Sequence, residues 1–282
     1  MKIIMKIIFS ILKYILVVLL TLVVIAIVIA KIASSTILNE SYVLSKLDET
    51  GYYRGIYSEV YSNFENYIGP SGLDEEVFEN IVSEDKIRED TYRIIDNIYQ
   101  NKIKDIDTDE IRENLNNNIE KYLEGRTLTS EQETAIGQYV DKICEEYATT
   151  ILHATSYEQK IAKIFSYANS ILPTFIKGVM IATIVLIIIL MIFNYNKVFR
   201  GVAQVGISVT SSGLFLLISN FILNSKVKID NIIVMNETFS KVIRVVLNDI
   251  CDKISNVSLI LLVCGLIAIL ISNSIYNKKK IA

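Results

Sequence analysis

Four stretches of this chain contain no charged residue: Tyr14–Ala30 (17 residues), Gly178–Asn196 (19), Gly201–Ser225 (25) and Ile254–Asn277 (24). A charge at the centre of a bilayer costs about 3 kcal/mol on insertion scales, so long uncharged runs mark segments that lipid can accept. About 20 helical residues, each rising about 1.5 Å, cross a hydrocarbon core about 30 Å thick. Each run is therefore read as a membrane-spanning helix, the first reaching back to Ile7 if Lys13 extends its ammonium to the interface. A hydrophobic fraction of 51%, a charged fraction of 21% and a mean hydropathy of +0.40 agree with a multi-pass protein.

The expected fold is all-α: four transmembrane helices, with a large extracytoplasmic helical domain inserted between helices 1 and 2. Residues 1–6 form the N-terminal segment, 7–31 the first span, 32–172 the inserted domain and 173–196 the second span. A turn at 197–200, a third span at 201–224, a second outer segment at 225–256, a fourth span at 257–277 and a tail at 278–282 follow. The first span is too long for a signal peptide's apolar region, and Lys31 stands where cleavage would want a small residue, so an uncleaved anchor is expected.

Orientation follows from Lys and Arg beside the spans. Lys2, Lys6 and Lys13, then Lys197 and Arg200, then Lys278, Lys279 and Lys280 all fall on the same side of a four-helix path. Both termini are thus expected in the cytoplasm and the two longer connections outside, although the second carries five cations against four acids. A composition rich in Ile, Asn, Lys and Tyr, with two Pro and no Trp, suits an AT-rich genome and a bacterial plasma membrane.

From Ile32 to Leu172 there are 27 acids and 13 bases, a net charge of −14 in a chain whose total is −3. Such a surface excludes nucleic acid and anionic headgroups as partners of this segment. Its apolar spacing is helical. Tyr53, Ile56, Tyr57, Val60, Tyr61, Phe64 and Ile68 form one stripe, stopped at Gly69-Pro70-Ser71-Gly72. A short helix over Asp74–Val82 is expected next, then one capped by Ser83 with a buried stripe of Ile87, Ile94, Ile95, Ile98 and Tyr99. Asp107 and Glu110 form a capping-box pair ahead of Ile111, Leu115, Ile119 and Tyr122, and Thr129 with Gln132 forms another. From Ile136 through Tyr147 to Ala168 a nearly continuous helix is expected to lead into span two, with an irregularity near Thr155-Ser156 and a kink at Pro173. In the second outer segment, Phe239, Val242, Ile243, Val246, Leu247 and Ile250 define an amphipathic helix expected to dock on the larger domain.

Chemistry has few candidates. Asp105, Asp107 and Asp109 match the first ligand positions of a calcium loop, but Glu110 replaces the required Gly and Asn116 the bidentate Glu, so capping is the better reading. His153 is the only histidine, with no partner for general-base work. There is no nucleotide loop, zinc motif or nucleophile elbow, so no cofactor, metal or catalytic residue is expected. An oxidising exterior would permit a disulfide between Cys144 and Cys251, with two buried thiols as the default. Tyr52, Tyr53, Tyr57, Tyr61 and Tyr67 read as core with hydroxyls at its edge ahead of an aromatic ligand cleft. Small residues at Ala203, Gly206, Thr210 and Gly213 in span three, and at Gly265, Ala268 and Ser272 in span four, lie on single helix faces and are expected to pack closely. Ser208, Ser211 and Ser212 offer the sharper alternative of a polar pathway.

These features favour a non-enzymatic membrane protein whose outer domain binds a partner protein or envelope component, as sensor, scaffold or accessory subunit. Its expected partners are the bilayer and a protein or a second copy of itself, with no nucleic acid. The alternative is an oligomeric channel or transporter subunit using the polar face of span three.

Overall fold

The computed structural model describes residues 2–102, 105–152, 155–234 and 236–281. It is 88% helical and has no strand among the described residues. Nine α-helices occur among the described residues, in order: α1 (Lys2–Ser35), α2 (Glu40–Thr50), α3 (Tyr52–Ser71), α4 (Glu84–Gln100), α5 (Asp109–Tyr122), α6 (Ser130–Leu152), α7 (Thr155–Phe193), α8 (Val198–Val227) and α9 (Glu237–Ile281). Four of them, α1, α7, α8 and α9, are long and apolar enough to cross a membrane. Their outward residues are large and apolar, as at Ile181, Ile184, Ile188 and Ile192 on α7, the pattern of a lipid-facing surface.

The chain divides into two compact units: one of residues 1–39, 169–232 and 244–282, the other of residues 40–168 and 233–243. In the first, helix directions can be read from side-chain pairings. Ser208 donates to the Val17 carbonyl (3.0 Å) and Ser212 to the Thr21 carbonyl (3.1 Å), and Leu216 packs with Ile25, Val28 and Ile32, so α8 runs parallel to α1. Leu190 packs on Leu16 and Leu20, and the Phe9 and Phe193 rings lie 5.5 Å apart, which sets α7 antiparallel to α1. Ser272 donates to the Phe199 carbonyl and Asn220 to the Cys251 carbonyl (2.8 Å), which sets α9 antiparallel to α8. The bundle therefore runs up, down, up, down.

The glycines of α8 fix how near α9 comes. A Cβ at Gly206 would lie 2.9 Å from the Gly265 carbonyl oxygen and 3.2 Å from the Ala268 Cβ; one at Gly213 would lie 2.6 Å from the Ser258 carbonyl oxygen. Thr210 presses on Gly265 and its buried hydroxyl makes no hydrogen bond, so it acts there by size alone. Ser272 is buried at the far end of this seam and Ala203 is half-buried on α8.

The second unit closes around Tyr53, Ile56, Val60 and Phe64 of α3, Ile87 of α4, Ile111, Leu115 and Ile119 of α5, and Val140, Ile143 and Tyr147 of α6. These are the stripes expected on α3, α5 and α6. α3 continues to Ser71 and stops at Gly72, whose φ of +69° is the left-handed conformation glycine adopts without strain. The capping box at Thr129 and Gln132 forms reciprocally (3.0 and 3.3 Å). That of Asp107 and Glu110 does not: Asp107 accepts from the Asp109 amide (3.0 Å) and Glu110 turns to Lys86 (3.8 Å). Asp74–Val82 contains only a 3₁₀ turn at Glu75–Phe78.

Of two long-range expectations, one falls in part outside the described residues and the other is corrected. The helix expected to link α6 with span two is described up to Leu152 and again from Thr155, with His153 and Ala154 outside the described residues, and α7 carries Pro173 within an unbroken helical run. The second outer segment is not a separate helix: after a short connection its residues continue without interruption into span four as α9. Residues 233–243 do join the second unit. The Lys241 ammonium donates to the Thr50 carbonyl (2.7 Å), Asn236 donates to Glu59 (2.5 Å), and Thr238 lies where a Cβ on Gly55 would fall.

Substitution at the α8 and α9 seam provides a direct check. Gly213→Ala is expected to destabilise the detergent-solubilised protein by about 1–3 kcal/mol, the usual cost of overpacking. Gly178→Ala, whose Cβ would meet nothing within 4 Å, is the matched control and should cost nothing measurable in thermal unfolding. Equal behaviour of the two variants would show that the seam is not tightly packed.

Candidate functional site

The least expected feature of the second unit lies on α4. Among the five residues buried there, Lys86, Asp90, Thr91 and Asn97 are polar, whereas Ile94, Ile95, Ile98 and Tyr99 are only half-buried. The rotation of α4 differs from the expected one by part of a turn, and charges take the inward places. Asp90 is 2% exposed and Lys86 7%. Ser83 caps the helix by accepting from the Lys86 amide (3.0 Å), which starts α4 in this register.

The charges are compensated internally. Lys86 lies 3.3 Å from Asp90 Oδ1 on the next turn, Tyr147 of α6 donates to Asp90 Oδ2 (2.6 Å), and Arg93 approaches Asp90 from the rim (3.9 Å). A buried pair of this kind repays its desolvation only when the remaining lone pairs are occupied, and here both carboxylate oxygens are. No substrate atom can approach a carboxylate so enclosed. The cluster joins α4 to α6 and its chemistry is structural.

The tyrosines follow the same logic. Tyr52 and Tyr53 are buried; Tyr61 donates to the Val82 carbonyl (3.1 Å), Tyr67 to Glu146 (2.9 Å) and Tyr139 to the Tyr67 carbonyl (2.9 Å). Tyr61, Tyr67 and Tyr139 thus spend their hydroxyls on neighbouring groups, whereas the buried Tyr53 hydroxyl has no hydrogen-bond partner. Desolvation pushes the Tyr61 phenol up to about 12 and raises those of Tyr52, Tyr53, Tyr99 and Tyr147 further, the last helped by the carboxylate of Asp90.

The serines of span three differ in burial. Ser208 and Ser212 are fully buried and share their hydroxyl protons between α1 carbonyls and those one turn back on α8 (2.8–3.1 Å). Ser211 is exposed on another face. Two hold α1 against α8, and the third is exposed. Near the α7–α8 turn, Asn194, buried and not anticipated from sequence, accepts from the Lys13 ammonium (2.9 Å) and donates to Gln204 (2.8 Å) and the Leu190 carbonyl (2.7 Å). Lys13 therefore binds a side-chain amide here.

Cys144 and Cys251 are both free and buried. Cys144 is enclosed in the core of the second unit with its thiol 4.0 Å from the Thr108 carbonyl, and burial raises its pKa. Cys251 belongs to the other unit. No group of three or more potential metal ligands occurs among the described residues, and His153 lies outside them. An open cleft of about 450 Å³ between the 76–80 loop and α5 is lined by Glu76, Glu79, Asn80, Asn117 and Lys121. Asn114 and Asn118 anchor its rim by donating to the carbonyls of Ile81, Val77 and Glu79 (3.0–3.3 Å). Compared with protein families, curated proteins and solved structures, the chain matches none of them.

Two measurements follow. Asp90→Ala should cost about 3–5 kcal/mol because it leaves Lys86 buried without a counter-charge. Tyr147→Phe should cost about 1–3 kcal/mol, and the double change Lys86→Met with Asp90→Leu less than Asp90→Ala alone. A double variant no more stable than Asp90→Ala would contradict the pairing. Alkaline unfolding tests the tyrosines: a phenol raised in the folded state keeps its full stabilisation below its unfolded pKa of about 10. That contribution declines as pH rises from there through the folded value. Tyrosinate absorbance of the buried group should therefore appear together with loss of helicity, and smooth titration of all tyrosines in a folded protein would refute their burial.

Proposed function

We propose that this is a non-enzymatic integral membrane protein whose second unit lies outside the cytoplasm and binds a partner protein or envelope component, as sensor, scaffold or accessory subunit. The observation that carries the reading is the division of labour between the two units. The four-helix unit uses its polar groups on itself: Ser208, Ser212 and Asn220 bond neighbouring helices. The acidic unit has its own core and a polar, amide-rich cleft on its surface. Its buried charges are enclosed and its tyrosines are core, so recognition falls to that surface.

The proposed orientation rests on the three cation clusters at one end of the up-down bundle, which by the cation bias of membrane proteins is the cytoplasmic end. The channel or transporter alternative gains no support from the separation of Ser211 from Ser208 and Ser212.

One set of variants tests both parts in cells. In a cysteine-free background, Glu131→Cys should react with an impermeant thiol reagent in intact cells and Lys197→Cys only after permeabilisation; the reverse pattern overturns the orientation. A photo-crosslinking residue at Asn117, in the cleft, should capture a defined component that the same residue at Glu131 does not. Repeated absence of any product specific to position 117 would refute recognition at the cleft.

A further inference from the structure

The end of the helix bundle farthest along α1 from the start of α2 gathers charge of one sign. Lys13 sits there on α1, Lys197 in the α7–α8 turn and Arg200 at the start of α8, while the sequence adds Lys2 and Lys6 to the first turns of α1 and Lys278–Lys280 to the last turn of α9. The segments that carry these eight cations contain no acid of their own. Asp and Glu are absent from residues 1–39, 159–229 and 253–282, which include every segment forming that end. The acids of the chain fall within residues 40–158 and 230–252.

The local geometry leaves the charges available. Lys13 meets the neutral amide of Asn194, which satisfies one ammonium proton and none of the charge. Lys197 and Arg200 are exposed. Aromatic rings mark the same level: Phe9 with Phe193 (5.5 Å), Phe199 with Tyr276 (5.3 Å), and Tyr195, which is 73% exposed. Rings and cations together at the end of apolar helices are suited to the headgroup layer of a bilayer. The α7–α8 connection is only a short turn, which supplies no folded surface for a protein partner.

We propose that this end of the bundle is a binding surface for anionic phospholipid headgroups, whose phosphates approach Lys13, Lys197 and Arg200 and supply the counter-charge that these segments lack. The remaining Lys13 protons and the Arg200 guanidinium donate to phosphate oxygens. The site is independent of partner binding by the acidic unit and stands or falls separately from it.

The test uses the full chain in nanodiscs of phosphatidylcholine containing a minor fraction of phosphatidylglycerol, followed by detergent extraction and measurement of the retained lipid. Phosphatidylglycerol should be enriched over its bulk fraction by about fivefold for each cation engaged, and less as salt is raised. Lys197→Gln with Arg200→Gln should lower the enrichment at least about tenfold, while Lys197→Arg with Arg200→Lys should preserve it. Retention at the bulk fraction would overturn the proposal, as would enrichment indifferent to the Gln pair. Extraction from native membranes with an acidic protein in place of phosphatidylglycerol on this end would overturn it as well.

Discussion

In a bilayer, apolar side chains gain nothing by leaving lipid for one another, so helices associate through close backbone approach and hydrogen bonds. The membrane unit depends on how α8 meets that constraint. One face carries Ser208 and Ser212, whose hydroxyls reach carbonyls of α1; another carries Gly206 and Gly213, which admit the backbone of α9. Asn220 adds two donations across the second interface, to the Cys251 carbonyl and the Ser255 hydroxyl. The most polar span is therefore the central one. Its polarity is spent on helix pairing.

Order in the second unit is imposed by a different means. Its core is apolar, but α4 turns a lysine and an aspartate inward where its isoleucines were expected. The arrangement becomes tolerable because Tyr147, itself fully buried on α6, supplies the hydrogen bond that the paired carboxylate still needs. Apolar contacts tolerate small rotations of one helix against another. A donor and acceptor 2.6 Å apart do not, so the Tyr147–Asp90 bond specifies the register of α4 on α6.

Legibility in the sequence follows from these physical differences. Uncharged runs and helical stripes are one-dimensional signals, and the four long helices and the faces of α3, α5 and α6 were visible in them. The small-residue faces of α8 and α9 were readable for the same reason, since Gly206 and Gly265 announce close packing by what they lack. The rotation of α4 was not, because an isoleucine stripe and a charged stripe share one helix and only the position of Tyr147, 57 residues away, decides between them. Asn194 escaped notice for a similar reason: its value lies in Lys13, 181 residues earlier. The continuity of α9 was obscured by its composition, which changes from charged to apolar without any residue that ends a helix.

That continuity constrains the order in which the protein is completed. The second unit is discontinuous in the chain: residues 40–168 are made first, but the segment at 233–243 that meets Thr50, Gly55 and Glu59 follows the whole of α8. Until then the Thr50 carbonyl lacks the Lys241 ammonium and the surface around Gly55 lacks Thr238. Gly55 must stay without a side chain for a contact made only after α8 has been synthesised. α9 runs from Glu237 to Ile281, 45 residues, so the residues that complete the second unit and those that close the seam on α8 follow one another in the chain.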